Sequence, residues 1–340
     1  MRRTVAALGL GLAAHEIWRR RAPYDLRGKT ALVTGGSRGL GFAIAGELVD
    51  EGARVVICAR DEERLERARV LLQLRGGEVR AVPCDVSDRR QVERLVAEAG
   101  RVDLLVNNAG VISVGPLGTQ RLEDFEAMHA VMFWGVVYPT LAVLPQMLAR
   151  GAGRIANVTS IGGKISVPLL LPYNTAKFAA VGFSEGLRAE LAGKGVLVTT
   201  VVPGLMRTGS YYAALFKGRR ELIYNLFTPM SATPLTTISG RRAARKIVAA
   251  VRRGDPELIL TAHGNIVIRA HGLAPGLSAR VLGLVSRLLP DGGTSEAIPG
   301  REIPSPLDSS FVTAPGRKAA AELNQQSAPS SAPRSAPRAG

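Results

Sequence analysis

The sequence predicts an α/β fold built on one parallel, doubly wound sheet with helices on both faces. The first observation is that short apolar runs typical of buried strands alternate with longer stretches of helical character from residue 28 onwards. The second is a glycine-rich turn, "TGGSRGLG", directly after the first apolar run. The third is size, because 340 residues that are 46% hydrophobic and 21% charged suffice for one full α/β core with appendages.

Predicted strands and predicted helices alternate along this part of the chain. The strands are, in order, "KTALVT", "RVVICA", "VRAVPC", "DLLVNN", "RIANVTS", "VLVTTVVP" and "ELILT". The helices cover residues 40–51, 61–75, 88–99, 122–149, the stretch around 173–177, and 240–253. Right-handed crossovers between parallel strands place helices on both faces of the sheet, and ligands bind beyond the carboxyl ends of the strands. We therefore expect the functional residues at those ends.

The chain is strongly basic, with a net charge of +16 and a pI near 10.8. Such a charge fits anionic membranes or nucleic acid. It comes without interleaved aromatic residues or a known binding module, so we expect no nucleic-acid partner. Cys58 and Cys84 lie in separate apolar runs without CxxC spacing. We therefore predict reduced core thiols, a cytoplasmic location and no metal site.

The two ends of the chain differ in character from its middle. Residues 1–22 form a short apolar run with arginines on both sides, and we interpret them as an anchor at the membrane interface. A secretory signal and a helix packed on the protein itself are the alternatives. Residues 263–290 are amphipathic and are expected to pack as a helix, to form a dimer face or to meet a membrane. Residues 291–340, rich in Ser, Ala and Pro, are predicted to be a disordered tail.

The glycine-rich turn has the position of a phosphate-binding loop. Its glycines permit a tight turn and close backbone approach, and the helix that starts there offers free N–H groups to a pyrophosphate. The spacing differs from GxGxxG, and a purely structural turn is the alternative. We predict that the following residues of this loop contact a dinucleotide: Gly35, Ser37, Arg38, Gly39, Leu40 and Gly41.

The end of the second predicted strand indicates which dinucleotide is bound. An NAD site places a carboxylate about 20 residues beyond the turn, where it binds the ribose hydroxyls. This chain has Ala59 and Arg60 at that position, and Arg38 supplies a second cation inside the loop. Two arginines at one ribose favour a 2′-phosphate and therefore NADP(H). The alternative is that both are surface charges only.

Over residues 26–262 the sequence resembles the short-chain dehydrogenase/reductase family. The motifs that carry the resemblance are, in order, "TGGSRGLG", "CDVSD", "NNAG", "YNTAK" and "PGLMRT". The family implies one Rossmann-type domain that binds a nicotinamide dinucleotide, with Asp85 at the adenine and Asn107 bracing the sheet. For Asp85 the alternative is a helix N-terminal cap. The resemblance further implies cofactor contacts from Val86, Ala109, Gly110, Tyr173, Lys177, Pro203, Gly204 and Thr208.

Three side chains form the predicted catalytic set: Ser160, Tyr173 and Lys177. Tyr173 and Lys177 are four residues apart, which places them on one face of a helix. Ser160 ends a predicted strand, at the family's spacing from the tyrosine. We expect the lysine cation to lower the pKa of the phenol and to reach the nicotinamide ribose. Ser160 is expected to donate to the substrate oxygen, and Tyr173 to give or take the proton.

One position departs from the family pattern. Many members carry an asparagine in the long helix before the catalytic serine, where this chain has Met132. A methionine side chain cannot hold a proton-relay water as an amide does. The relay is therefore in doubt, with a local backbone carbonyl as the alternative acceptor.

The segments expected to line the substrate side are strongly apolar. They are residues 111–114, the stretch before Tyr173, and a lid over residues 209–236. Their prominent side chains are Leu169, Leu170, Tyr211, Tyr212, Phe216, Leu226 and Phe227. We expect about half of these seven to pack the lid itself. Such a pocket suits a lipophilic substrate. We predict a homo-oligomeric oxidoreductase acting on a lipid-, steroid- or retinoid-like ketone or secondary alcohol.

Two alternatives stay open. A 3-oxoacyl thioester reductase would use Lys217, Arg219 and Arg220 to hold an acidic carrier protein. A non-catalytic nucleotide sensor or membrane scaffold is the alternative from another class. The intact Ser, Tyr and Lys set argues against a sensor, while Met132 leaves room for one.

Overall fold

A computed structural model of the protein describes residues 23–234 and 236–325. The expected membrane anchor over residues 1–22 lies outside this range. The strands are, in chain order, β1 (Thr30–Thr34), β2 (Arg54–Ala59), β3 (Val79–Pro83), β4 (Leu104–Asn107), β5 (Ser113–Val114), β6 (Gly153–Val158), β7 (Val196–Val202), β8 (Met206–Arg207), β9 (Leu215–Gly218), β10 (Ile238–Ser239), β11 (Glu257–Ile259) and β12 (Thr294–Pro299). The α-helices are α1 (Gly39–Asp50), α2 (Glu62–Gln73), α3 (Arg89–Ala99), α4 (Leu122–His129), α5 (Gly135–Ala149), α6 (Leu171–Glu190), α7 (Arg220–Ala232), α8 (Gly240–Arg253), α9 (Ala262–Leu273), α10 (Pro275–Leu288) and α11 (Ala314–Glu322).

The main sheet has seven strands in the order β11-β7-β6-β4-β1-β2-β3. Every neighbouring pair is parallel, and the predicted fold class is confirmed. From β1 the chain first builds β2 and β3 on one side, and then returns to build β4 and the later strands on the other. The order therefore reverses between β1 and β4, and a crevice opens at the carboxyl ends of these two strands.

The strands are buried on both faces, which explains their almost continuous apolar sequences. In β1 all five residues are buried; Ala31 and Val33 face one hydrophobic cluster, and Leu32 faces the other. Helices α1 and α8 pack together over the first face, and α3 and α5 over the second. The two-residue period of the strand thus divides the core into two layers with the sheet between them.

The predicted lid, residues 209–236, contains a small folded unit with its own core. Strand β9 pairs in parallel with β5 and antiparallel with β12. Tyr211, Phe216 and Tyr224 are fully buried and pack together with Ile303. The lid is therefore tied on both sides to segments distant in sequence.

The prediction of a disordered tail from residue 291 is wrong for the first part of that tail. Residues 294–299 form β12, which pairs with the lid, and residues 314–322 form α11. A few buried apolar side chains, among them Ile303 and Leu323, hold this segment to the protein. Composition does not reveal so short a set of contacts. The stretch richest in Ser, Ala and Pro, residues 326–340, lies outside the described range.

Close packing of small residues holds α11 in place. A Cβ atom on Gly209 would lie 2.4 Å from Cβ of Ala320, and one on Gly316 would lie 2.7 Å from Cβ of Ala232. Arg317 donates to the carbonyl of Ser310 over 2.8 Å. The helix therefore lies against the lid at a distance that no larger side chain permits.

The amphipathic extension forms α9 and α10. No residue of α10 is buried, and Leu277, Leu284 and Leu288 are each at least 60% exposed. Among the described residues, one helical stretch, Leu122–Ala149, is long and apolar enough to cross a membrane. Nearly half of its most apolar window is buried inside the protein, because α4 and α5 cover the sheet there.

Replacing Gly316 by leucine is expected to detach α11. The added side chain has no room against Ala232, and overpacking of this kind costs about 1–3 kcal/mol. Trypsin should then cleave after Arg317 or Lys318 faster than in the wild type, while the sheet stays folded by circular dichroism. Ala321→Leu, on the exposed side of the same helix, is the control. Equal cleavage rates in the two variants would contradict this packing.

Candidate functional site

A cavity of about 900 Å³ lies at the carboxyl ends of the strands, where the strand order reverses. All the residues predicted to bind cofactor or to form the catalytic set line this cavity, with the exception of Asn107. Five separate motifs of the sequence therefore meet around one space. Their individual roles stay predictions, but their convergence is a property of the fold.

The glycine-rich turn lies at one end of the cavity. Gly35 has a φ of +64°, and a Cβ on it would lie 2.7 Å from Cα of Ala109; a Cβ on Gly41 would lie 2.1 Å from the carbonyl oxygen of Gly35. Thr34 fixes the turn, because its hydroxyl oxygen accepts from the N–H groups of Asn108 and Ala109. The turn leads into α1, whose first N–H groups have no acceptor inside the helix. It is a cradle for an anion.

Three arginines surround the next part of the cavity: Arg38, Arg60 and Arg64. Burial lowers the pKa of Arg38 to about 10, and the neighbouring Arg64 adds to this effect. Arg60 has a largely exposed side chain, and its guanidinium lies 3.6 Å from the Asp85 carboxylate. The sequence analysis did not predict that Arg64 lines the cavity. Its position four residues after Arg60, in the first turn of α2, could have indicated this.

Asp85 does not cap a helix. The N-terminal cap of α3 is Asp88, which accepts from the N–H groups of Arg90 and Gln91. Asp85 instead accepts from the N–H and hydroxyl of Ser87, and it lines the cavity beside Arg60. This position agrees with the expected place at the adenine end of a dinucleotide.

Asn107 lies behind the cavity and does not line it. Its amide donates to Thr140 and to Asn157, each over 2.9 Å, and Asn157 donates in turn to Ser184. These buried bonds join β4, α5, β6 and α6. The expected bracing role agrees with this geometry, whereas direct contact with a cofactor does not, because the side chain points into the core.

Ser160, Tyr173 and Lys177 form the opposite end of the cavity. Ser160 follows β6 and is buried; its hydroxyl oxygen accepts from the N–H of Gly162 over 3.0 Å, and its side chain lies beside the Tyr173 phenol. Lys177 is 4% exposed, and its Nζ donates to the carbonyl of Val158 over 2.9 Å. The catalytic helix α6 therefore lies against the end of β6 through a tyrosine and a lysine one turn apart.

The pKa shifts in this triad differ from the expectation. Burial raises the pKa of the Tyr173 phenol, and the hydrogen bond with Ser160 offsets part of this rise. Burial also lowers the pKa of Lys177 to about 7. The amine lies 5.9 Å from the centre of the tyrosine ring and is directed at Val158. The prediction that Lys177 lowers the phenol pKa is therefore wrong for the protein without bound ligands, where Ser160 is the group that does so.

Met132 lies at the catalytic end in a π-helical turn, Ala130–Trp134, between α4 and α5. Its sulfur accepts from the N–H of Val111 over 3.3 Å, and it packs in a small cluster with Met128 and Tyr173. Insertions of this kind in helices are frequent at functional sites. The thioether accepts one hydrogen bond and donates none, so this side chain offers no N–H donor to a proton relay.

The remaining wall of the cavity is apolar. Four of the seven side chains expected near the substrate line it: Leu169, Leu170, Leu226 and Phe227. Tyr211, Tyr212 and Phe216 pack inside the lid instead. Leu169 has a φ of +67°, a left-handed conformation that is strained for leucine. The strain lies directly beside the space for the substrate.

The basic cluster expected to hold a carrier protein is not formed. Lys217 is buried and pairs with Asp124 of α4, and Arg220 pairs with Glu296 of β12 over 2.8 Å. Only Arg219 of the three is exposed. The prediction is wrong because Lys217 lies on the inner face of β9, where its charge joins the lid to the main domain.

Comparison with known proteins identifies relatives of this chain. The family model described as short chain dehydrogenase matches residues 29–214. SadH from Mycobacterium tuberculosis, a protein named as an oxidoreductase, is 33% identical over 282 residues, which cover 81% of this chain and 98% of that protein.

Two solved structures show the same fold. A short-chain dehydrogenase/reductase from Burkholderia phymatum, in complex with NAD, aligns with a TM-score of 0.69 and 27% identity over 75% of this chain and 96% of that one. A variant of the actinorhodin polyketide ketoreductase, with NADPH, aligns with a TM-score of 0.61 and 31% identity over 68% of this chain and 95% of that one.

The buried amine of Lys177 is expected to make stability depend on pH. Between pH 7 and the ordinary lysine value of 10.5, the unfolded chain binds a proton that the folded protein does not. Stability attributable to this group therefore rises with pH in that window, and Lys177→Met removes the dependence. The difference in unfolding free energy, variant minus wild type, should fall by about 1.4 kcal/mol per pH unit.

Urea unfolding of the free protein at pH 7, 8 and 9 measures this difference. Lys194→Met, at an exposed lysine, reports the background effect of removing one positive charge. If this difference in unfolding free energy is the same for Lys177→Met as for Lys194→Met at all three pH values, the lowered pKa of Lys177 is contradicted.

Proposed function

Because the chain belongs to the short-chain dehydrogenase family, we propose that it transfers a hydride between NADP(H) and a hydrophobic ketone or secondary alcohol. One observation carries the proposal: Ser160, Tyr173 and Lys177 lie at one end of a cavity whose other end is the glycine-rich turn. In an open α/β sheet of this kind a dinucleotide binds across the crevice at the carboxyl ends of the strands.

The residues of the cavity fit such a dinucleotide. Gly35 and Gly41 permit the tight turn, because a Cβ atom on either would clash with the backbone, and the first N–H groups of α1 are donors for a pyrophosphate. Asp85, Pro203, Gly204 and Thr208 all line the cavity, and we assign the first to the adenine and the other three to the nicotinamide end. When bound, the dinucleotide supplies or accepts the hydride.

Ser160 and Tyr173 act on the substrate oxygen. Both side chains line the same end of the cavity and interact there, so an oxygen placed beside them can accept from both hydroxyls. Tyr173 gives its proton to that oxygen in reduction and takes it back in oxidation. Lys177, held by the Val158 carbonyl, gains or loses its own proton near neutral pH, and its amine is proposed to bind the nicotinamide ribose.

The preference for NADP(H) rests on the arginine cluster. Arg38, Arg60 and Arg64 surround the position beyond β2 where an NAD enzyme has a carboxylate. The carboxylates nearby are already paired, Asp85 with Arg60 and Asp61 with Arg64. The similar structures were solved with NAD in one case and NADPH in the other, so the arginines of this chain carry the choice.

The substrate class rests on the apolar wall. The cavity beside Tyr173 is lined by Leu169, Leu226 and Phe227, and α10 adds Leu282 and Val285 at its rim. Such a wall binds lipid-, steroid- or retinoid-like carbonyl compounds. Reduction of a 3-oxoacyl thioester is the second candidate, because the actinorhodin polyketide ketoreductase is similar over most of this chain. The acyl part would then occupy the same apolar wall, without a basic cluster for the carrier.

The surface of the protein supports self-association and contact with a lipid surface. Trp134, Leu141 and Phe178 are exposed on α5, α6 and the π-helical turn, and a second copy of this chain would cover them. Exposed leucines of α10 alternate with Arg280 and Arg287, a combination that binds anionic lipid. We place the protein in the cytoplasm, in peripheral contact with a membrane.

Replacing Tyr173 by phenylalanine is expected to abolish turnover while cofactor still binds. Loss of the hydroxyl that gives its proton to the substrate oxygen lowers kcat by about a hundredfold or more. A panel of lipophilic ketones and alcohols, followed by the absorbance of NADPH, gives the measurement. Tyr138→Phe removes a tyrosine hydroxyl outside the cavity and is the control. No turnover by the wild type with any carbonyl, despite NADPH binding, would favour a nucleotide sensor.

Replacing Arg60 by aspartate is expected to shift preference towards NAD(H). The new carboxylate repels a 2′-phosphate and accepts from ribose hydroxyls, and we expect NADPH affinity to fall by about tenfold. Paired kinetics with NADPH and NADH give the ratio of kcat/KM. Arg54→Asp makes the same change of charge at the opposite end of β2. An unchanged ratio in Arg60→Asp would refute the assignment of this strand end.

A further inference from the structure

The last described residues of the chain return to the glycine-rich turn. The carbonyl of Leu323 accepts from the N–H of Gly39 over 2.7 Å, at the first residue of α1. The side chain of Asn324 donates to the carbonyl of Ser37 over 2.8 Å and to that of Arg64 over 3.2 Å. It also accepts from Nε of Arg67 over 2.6 Å. Residues 323–325, the C-terminal clasp, are thus joined to both helices that border the cofactor end of the cavity.

The backbone of the clasp directs the next side chain into the cavity. Asn324 is buried and has a φ of +56°, a left-handed conformation that asparagine tolerates better than most residues. Gln325 follows this bend and lines the cavity. Its amide nitrogen lies 2.8 Å from the point where a Cβ on Gly39 would stand, so the side chain reaches the first residue of α1.

The polar atoms of Gln325 are placed for a ligand. Within residues 23–234 and 236–325, its Oε1 is buried and has no hydrogen-bond partner. The clasp also occupies one donor of the anion-binding helix end, because the N–H of Gly39 is bonded to Leu323. The side-chain amide of Gln325 has two N–H donors, and it lies beside this same end of α1. Gln325 therefore replaces at the helix terminus the donor that the clasp removes.

We propose that Gln325 is a cofactor-binding residue whose amide donates to the pyrophosphate of the dinucleotide, and that the C-terminal clasp forms one wall of the cofactor site. This inference rests on the proposed function. Arg64 and Arg67 of α2 are tied to the same clasp, so the wall also orients the helix that carries an arginine of the phosphate cluster. Without residues 314–325 the protein would keep the glycine-rich turn, but it would lose the Gln325 amide donor and the wall that the C-terminal clasp forms.

A change of charge at position 325 tests the contact. Gln325→Glu places a carboxylate against the pyrophosphate and is expected to weaken NADPH binding by about tenfold or more, and Gln325→Ala by a few-fold. Ala321→Glu adds the same charge to the exposed side of α11 and should bind like the wild type. Binding is measured by NADPH fluorescence with the full chain and no substrate. Affinity in Gln325→Glu equal to that of the control would overturn the proposal.

Removal of residues 314–340 tests the wall. We expect weaker NADPH binding, with the fold checked by circular dichroism. Unchanged affinity would overturn the proposal, and tighter binding would overturn it too, because the clasp would then compete with the cofactor. If the truncated chain fails to fold, Gln325→Ala decides by the same assay. A wild type that binds neither NADPH nor NADH would refute the proposed function itself. If the wild type binds NADPH and the variants bind it equally well, only the role of Gln325 and the clasp is refuted.

Discussion

The interaction on which the catalytic end depends is the hydrogen bond from the Lys177 amine to the Val158 carbonyl. This bond fixes α6 against the last residue of β6 and so determines where Tyr173 stands relative to Ser160. The amine is buried at a cost, which its lowered pKa records. A side chain that is costly to bury and is nevertheless enclosed by the fold is the usual mark of a functional site.

Buried polar bonds bring strand ends together in the same way elsewhere in the sheet. Asn107 and Asn157 link β4 to β6, and Thr34 links β1 to the loop after β4. Each of these bonds lies at or next to a carboxyl end, where the strands would otherwise be free to separate. Polar contacts thus join the strand ends below the crevice, while apolar packing holds the rest of the sheet.

Much of the fold and of the site could be predicted from the sequence, because strands buried on both faces and glycine-rich turns have local signatures. Ser160, Tyr173 and Lys177 follow from motif spacing, and all three line the cavity. What the sequence did not reveal depends on pairing between distant residues. From the sequence alone Lys217 is predicted to be a surface cation, whereas the fold pairs it with Asp124. Gln325 is predicted to belong to a polar tail, whereas the bond from Asn324 to Ser37 brings it to the glycine-rich turn.

The bond between Asn324 and Ser37 joins residues 287 positions apart. During synthesis the first strands and the turn between them leave the ribosome early, yet the partner that completes this corner emerges 287 residues later. A nascent polypeptide can therefore assemble its central layers long before the nucleotide corner is finished. A polypeptide interrupted before residue 323 would therefore have well-packed central layers and an unfinished corner at the glycine-rich turn.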